Sequence, residues 1–477
     1  MKKLIIFVLI IAVLAAAAYW YFMKSGFIQT KPPSSVTHKP PEIKLQIETR
    51  ETKDLGPVKI FFMPTGSAHV VLMLSGNDGW NEHLDRFATK LANSECTVIG
   101  IDTNKFLERL QTKIGYPAGD LESLSQSVQK TISVSSYITP VLVGFQTGGA
   151  IVYASLAEAP KTTFLGGISI DFCPNMHLTK PFYKGNDFDF KKARKPDEYQ
   201  ILSGKKLNSS WTVLQNSNFT DCKLSDVNRF ASRVAHANFV QVASGNFDAS
   251  FQKHFADMVS SQKKKASAVT ASALMGLPLQ EVPTSKAGDT MAVIVTGDGG
   301  CASIDRDIGN ELASRGIAVV GLNSLQYFWK KQTPQSAGAD LANIIRYYLA
   351  AWKKHHVILI GYSYGAEVLP YMATHLPAEV LARVKTVALL GPGLKADFEF
   401  KPTSWLNMSG EDALPVHPEI EKLKGTCVIC IYSAKDAKDS ACSGLDRKLF
   451  HAIPLPGGHH FEGNYRELAQ MIQNTCK

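Results

Sequence analysis

The 477-residue sequence lacks any basic block with interleaved aromatics, and after Phe22 it has no apolar run long enough to cross a bilayer. The first absence argues against nucleic acid as a partner, despite a formal net charge of +9. The second leaves everything beyond the first two dozen residues outside the membrane. Charge is modest, at 19%, against 45% hydrophobic residues, which excludes a disordered chain. Metal-ligand spacing is missing too. The adjacent His459 and His460 diverge, and no carboxylate or cysteine framework accompanies them, so neither a metal nor another cofactor is expected.

The first residues carry a different signal. Lys2 and Lys3 precede an uncharged stretch from Leu4 to Phe22, and Lys24 follows it. At about 1.5 Å per residue this stretch covers most of a roughly 30 Å hydrocarbon layer. Tyr19 to Phe22 would form an aromatic belt. Residues 1–23 therefore read as a signal anchor or as a signal peptide cleaved near Ala15 to Ala18. Both readings export the remainder and make disulfides possible among the eight cysteines, with Cys173/Cys222 and Cys430/Cys442 as candidate pairs. Cys427 and Cys430 form a CxxC inside the apolar run "TCVICIY". On a strand these side chains face opposite ways, which argues against a thioredoxin-type site.

The chain repeats itself. A tether at 24–55 rich in Pro, Ser and Thr is followed by a copy at 56–262, a linker at 263–288 and a second copy at 289–477. "VVLMLSGNDGW" (from Val70) matches "MAVIVTGDGGC" (from Met291), and "GDLESLSQSVQKTI" (from Gly119) matches "ADLANIIRYYLAAW" (from Ala339). "VLVGFQTGGAIVYASL" (from Val141) matches "VILIGYSYGAEVLPYM" (from Val357). Alternating apolar runs and helical patterns predict two tandem α/β domains with doubly wound, mostly parallel sheets, whose ligands bind at the carboxyl ends of the strands.

The second copy carries a hydrolase pattern. Gly361-Tyr362-Ser363-Tyr364-Gly365 fits G-x-S-x-G between a strand and a helix, which makes Ser363 a candidate nucleophile. Gly299 and Gly300, after the first strand of that copy, and the Tyr364 N–H are candidate oxyanion donors. Asp436 and Asp439 follow a later strand, and His459 and His460 precede the last helix. Ser, Asp, His is the chain order of α/β-hydrolases. Both choices stay open; Asp439 is preferred because "DxxC" recurs loosely as Asp221-Cys222, and His459 because it follows the glycine pair. In the first copy Gln146 stands at the serine position and Asn246 at that of His459, so that copy lacks both nucleophile and base.

"TGDGG", "SLQYFWKKQTP", "GYSYGAEVLP", "CIYSAKDAKDSAC" and "GGHHFEGNY" resemble the signatures of the bacterial virulence protein VirJ/AcvB family over residue 289 to the end. The first copy resembles the extra N-terminal domain of AcvB-type members. Cys301 stands where the family usually has Trp, and Ser433 where it usually has Gly. The resemblance implies a periplasmic serine α/β-hydrolase, tethered to the inner membrane or soluble after signal cleavage. It also implies hydrolysis of aminoacyl-phosphatidylglycerol, chiefly lysyl-phosphatidylglycerol, so an anionic or aminoacylated phospholipid is the expected partner. VirJ-type members are linked to type IV secretion, which makes secretion components expected partners in a rival, adaptor reading. A general lipase or carboxylesterase is the third reading. For a cationic head group, Asp298 and Glu367 are candidate carboxylates, and each also has an ordinary role as a loop brace or a solvated helix residue.

Overall fold

The computed structural model describes residues 44–476, apart from 53–54, 111–115, 133, 161–162, 179, 181, 183, 185–187, 196, 244, 264–273, 275, 300–302 and 402–411. The N-terminal run, and with it the anchor or signal, lies outside the described residues, as do Gly300 and Cys301. Among the described residues no helix is long and apolar enough to cross a membrane. Leu45–Lys477 form one compact unit, which contains two large sheets.

Eight strands build the first sheet: β1 (Gln46–Thr52), β2 (Gly56–Phe62), β3 (His69–Leu74), β4 (Cys96–Ile101), β5 (Val141–Phe145), β6 (Gly166–Ile170), β7 (Lys206–Asn216) and β8 (Ala235–Val242). Their spatial order is β1-β2-β4-β3-β5-β6-β7-β8. β2 runs antiparallel to both of its neighbours, and β3 to β8 are parallel throughout. The second sheet holds β9 (Leu279–Val282), β10 (Thr290–Val295), β11 (Ala318–Leu322), β12 (His356–Tyr362), β13 (Val384–Leu390), β14 (Cys427–Ser433) and β15 (His451–Leu455). Its order, β9-β11-β10-β12-β13-β14-β15, repeats the first sheet from β2 onward, again with one antiparallel edge strand. Two mostly parallel sheets in this order are two α/β-hydrolase-like folds, as the repeat predicts. The central strands are buried end to end, as in "VVLML" and "MAVIV", because helices cover both faces.

Two segments differ from the sequence expectation. β1 lies within the stretch read as tether, and β9 within the stretch read as linker. Both are edge strands, so they lack the continuous apolar run that marks a central strand.

The turn after β5 and the turn after β12 share one geometry. Gln146 has φ 48 and ψ −112, and Ser363 has φ 52 and ψ −119. A non-glycine residue there costs on the order of 1–3 kcal/mol, so the surroundings must enforce it. Helix α2 (Thr147–Glu158) or α5 (Tyr364–Thr374) starts at once, and the strand before it leaves no room for side chains. A Cβ on Gly361 would meet Gly365 O at 2.5 Å, and one on Gly365 would meet Val295 O at 2.0 Å. In the first copy a Cβ on Gly148 would meet Ser75 O at 2.4 Å. That copy fills its own turn: the Asn77 N–H donates to Gln146 Oε1 at 2.9 Å, and the Thr147 hydroxyl donates to the Asn77 side chain.

The two elbows therefore retain their glycines for packing, with or without a nucleophile. Gly148→Ala should lower stability by about 1–3 kcal/mol, because backbone must move. Gly76→Ala meets only the flexible end of Gln146 and should cost far less. Thermal unfolding of the two variants checks the contrast; equal losses would contradict it.

Candidate active site

Carboxyl ends of the strands and the loops beyond them assemble the site on the second sheet. Ser363 is lifted off β12 by the strained turn, and Tyr364 opens α5. The Tyr364 N–H is thus one of the first-turn donors that no helix carbonyl can satisfy. The close approach of Gly365 to Val295 O sets the loop after β10 directly against this helix start. Gly299 lies in that loop, with Asp298 before it. Beneath it, buried Asp305 faces the Gly297 N–H at 3.5 Å. Burial pushes the Asp305 carboxyl well above its ordinary range.

The base comes from the loop after β15. His459 Nε2 stands 2.8 Å from Ser363 Oγ, so the hydroxyl donates to it when that nitrogen is unprotonated. His460 is not at the serine. Its Nδ1 meets the Tyr362 hydroxyl at 3.2 Å, and the same hydroxyl lies 3.4 Å from the His459 carbonyl. Tyr362 therefore holds the loop that carries both histidines. Ser433 does the same from the other side, donating to Gly457 O at 2.8 Å. A glycine at 433, usual in the resembled family, could not make this bond. His459 keeps one side open to solvent, but the protein packed around its ring lowers its pKa below the usual 6.5. The neighbouring His460 adds to that effect, and Asp298 and Asp436 oppose it.

The structure bonds neither candidate acid to the base. Both Asp436 and Asp439 lie in the turn Ala434–Asp439, both are exposed, and neither hydrogen-bonds His459. Asp436 is the one whose charge acts on His459. Asp439 ends the turn, next to buried Ser440 and the Cys430–Cys442 disulfide. That disulfide fixes the far end of the loop without aiming Asp439 at the base. The predicted pair Cys173–Cys222 is also bonded. Cys427 is bonded to Cys476, a pairing the sequence reading did not consider. The two CxxC cysteines thus enter separate disulfides, as side chains on opposite strand faces must.

Asp298 and Glu367 lie close enough to repel each other. Burial first, and Asp298 second, push Glu367 up to about 8, while the Gly393 N–H at 3.3 Å pulls the other way. Asp298 is itself raised by burial, against the two histidines and the N–H groups of Asp298 and Gly299. One further carboxylate belongs to this set. Glu122, from the first copy, is also pushed up to about 8, by burial and then by Asp298. The sequence reading missed it, although a signal existed. In the matched stretches Glu122 stands opposite Ala342, a buried core position, so a charge had entered an apolar stripe.

The strand order and the strained elbow define an α/β-hydrolase fold with a serine–histidine pair at its usual place. Residues 289–477 match the family described as "Bacterial virulence protein (VirJ)". No curated protein matches the chain. Solved structures similar to it include a Klebsiella pneumoniae protein assigned as a dienelactone hydrolase, at 13% identity and TM-score 0.33, covering 46% of this chain and 99% of that one. The esterase domain of a Rhodothermus marinus protein has 13% identity and TM-score 0.30, with coverages of 45% and 98%. Francisella virulence factor BioJ has 9% identity and TM-score 0.30, with coverages of 47% and 86%.

A lowered His459 pKa has a direct consequence. The neutral ring, which can accept the serine proton, persists to lower pH than for an ordinary histidine. Fluorophosphonate labelling of Ser363 should therefore fall off only as pH drops through a midpoint below 6.5. His460→Gln removes a depressing neighbour and should move that midpoint up; Asp436→Asn removes an opposing charge and should move it down. A midpoint unmoved in both variants would contradict the assignment.

Proposed function

We propose that the chain is an exported serine hydrolase that cleaves the aminoacyl ester of aminoacyl-phosphatidylglycerol, with the lysyl lipid as its main substrate. The observation that carries the hydrolase part is the 2.8 Å contact between Ser363 Oγ and His459 Nε2 at a strained elbow. Support for the substrate comes from the family resemblance and from the carboxylates Asp298 and Glu367 beside the pair. The charge-free N-terminal run supports a membrane-side location.

In this reading His459 takes the serine proton as Oγ attacks the aminoacyl carbonyl. The Tyr364 N–H and the loop at Gly299 face the oxygen that gains charge. His459 then passes the proton to the glycerol oxygen, the ester C–O bond breaks, and the lipid leaves. Water, deprotonated by the same histidine, attacks the acyl-serine and releases the amino acid. In this reading Asp436 is the orienting carboxylate, and it forms its bond to His459 only when substrate fills the site, as catalytic contacts often do.

Ser363→Ala should lower ester hydrolysis by on the order of 10⁴-fold or more, since nucleophile and base act as a unit. Asp436→Asn should cost roughly 10²–10⁴-fold in kcat, and Asp439→Asn only a few-fold. Lipid extracts check the substrate: cells without the protein and cells with Ser363→Ala should accumulate the same aminoacyl lipid. If only deletion, and not Ser363→Ala, alters the cell, the adaptor reading gains instead.

A further inference from the structure

Beyond β6 and β13 the two copies share a backbone position that carries different residues. In the second copy the Ser363 N–H donates to Leu390 O and the Gly391 N–H to Ile431 O, both at 2.8 Å. In the first copy the Gln146 N–H donates to Ile170 O at 2.7 Å, and the Asp171 N–H to Leu214 O at 3.0 Å. Leu390 pairs with Ile431, as Ile170 does with Leu214. Gly391 has φ 64 and Asp171 φ 52, left-handed in both. Gly391 and Asp171 therefore occupy one place in the fold.

The two copies differ in what stands over that place. A Cβ on Gly391 would meet His459 Cε1 at 3.0 Å and His459 Nδ1 at 3.1 Å. Both lie inside the roughly 3.5–4.0 Å of a comfortable carbon contact. The imidazole thus rests on the bare α-carbon of Gly391 while its Nε2 reaches Ser363 Oγ. Asp171 does carry a side chain, and Asn216 holds it in place. Asp171 Oδ1 accepts the Asn216 backbone N–H and Oδ2 its side-chain amide, each at 2.8 Å. The segment at Gly391 cannot simply retreat from the ring. The Ala441 N–H donates to Pro392 O at 3.2 Å, and the Gly393 N–H to Glu367 Oε1 at 3.3 Å. Residues 391–393 are thereby tied both to the disulfide-bonded loop and to α5.

We propose that Gly391 is a positioning residue for His459, its missing side chain forming the seat of the imidazole, and that Asp171 closes the matching seat in the first copy. A methyl group at 391 would leave the ring two ways to respond. It swings off the seat and lengthens its contact with Ser363, or it stays and is crowded at Nδ1. That nitrogen must keep its hydrogen toward an orienting carboxylate for Nε2 to act as base. Either response weakens the base without touching Ser363 or the oxyanion donors. The first copy has thus lost its nucleophile, its base and the space for a base.

This inference rests on the hydrolase reading, and the test separates the two. Purified full chain is assayed on p-nitrophenyl acetate. Gly391→Ala should lower kcat by about tenfold or more and leave KM within about twofold, since ground-state binding is untouched. Any side chain at this φ is strained, so thermal unfolding is measured beside activity. Gly391→Asn adds the same Cβ in a residue that tolerates left-handed backbone, and it replaces the alanine variant if that one does not fold. A double-mutant cycle with His459→Ala distinguishes positioning from general structure. If Gly391 acts through the ring, adding Gly391→Ala to His459→Ala should lower the residual rate by less than about twofold. The same loss in both backgrounds, or a folded Gly391 variant with unchanged kcat, overturns the role of Gly391 and leaves the hydrolase standing. Full activity in His459→Ala overturns both.

Discussion

The second domain depends on one strained residue. Ser363 can hold φ 52 only because Gly361 and Gly365 let strand, helix and the neighbouring strand end touch backbone to backbone. That contact fixes where Tyr364 points its N–H, where the loop at Gly299 rests, and how far Ser363 stands from the β15 loop. Strain of this kind is usually read as a sign of catalysis. Here the first copy shows that it belongs to the fold, since Gln146 holds the same geometry without a nucleophile. The energy that maintains it comes from packing around the glycines, which both copies keep. Chemistry is then a matter of which side chain sits on the turn and what faces it.

Much of this was legible in the sequence, for physical reasons. Central strands of a doubly wound sheet are buried on both faces, so "VVLML" and "MAVIV" announce themselves, and the glycine-flanked turn follows from steric limits that few residues meet. The duplication made the reading firmer, because strand order in one copy had to serve the other. Edge strands were hidden for the converse reason. β1 reads "QIETRET", exposed on alternate positions, and a polar edge strand looks like a tether until its partner is known.

Within the site, sequence order identified the elements but not the atoms. Adjacent histidines diverge, and which of them reaches Ser363 depends on how Tyr362 and Ser433 hold the loop. The two aspartates of one short turn differ by less than a turn of chain, and both stand exposed there without a hydrogen bond to His459. The preference for Asp439 leaned on its nearness to a cysteine. A disulfide restrains the backbone it joins; it does not choose the direction of a neighbouring side chain.

A duplicated hydrolase meets a particular constraint on the helix that leads to β5 or β12. In the second copy this helix, Pro334–Ala351, buries Ala342 in its own core. In the first copy the matching position is Glu122, a half-buried carboxyl. Desolvation, with Asp298 second, raises its pKa to about 8. The same substitution in the second copy would place a carboxyl inside its own hydrophobic core, facing Leu341 and Ile345 rather than a partner domain. Only a copy whose helix lies against another domain can tolerate it.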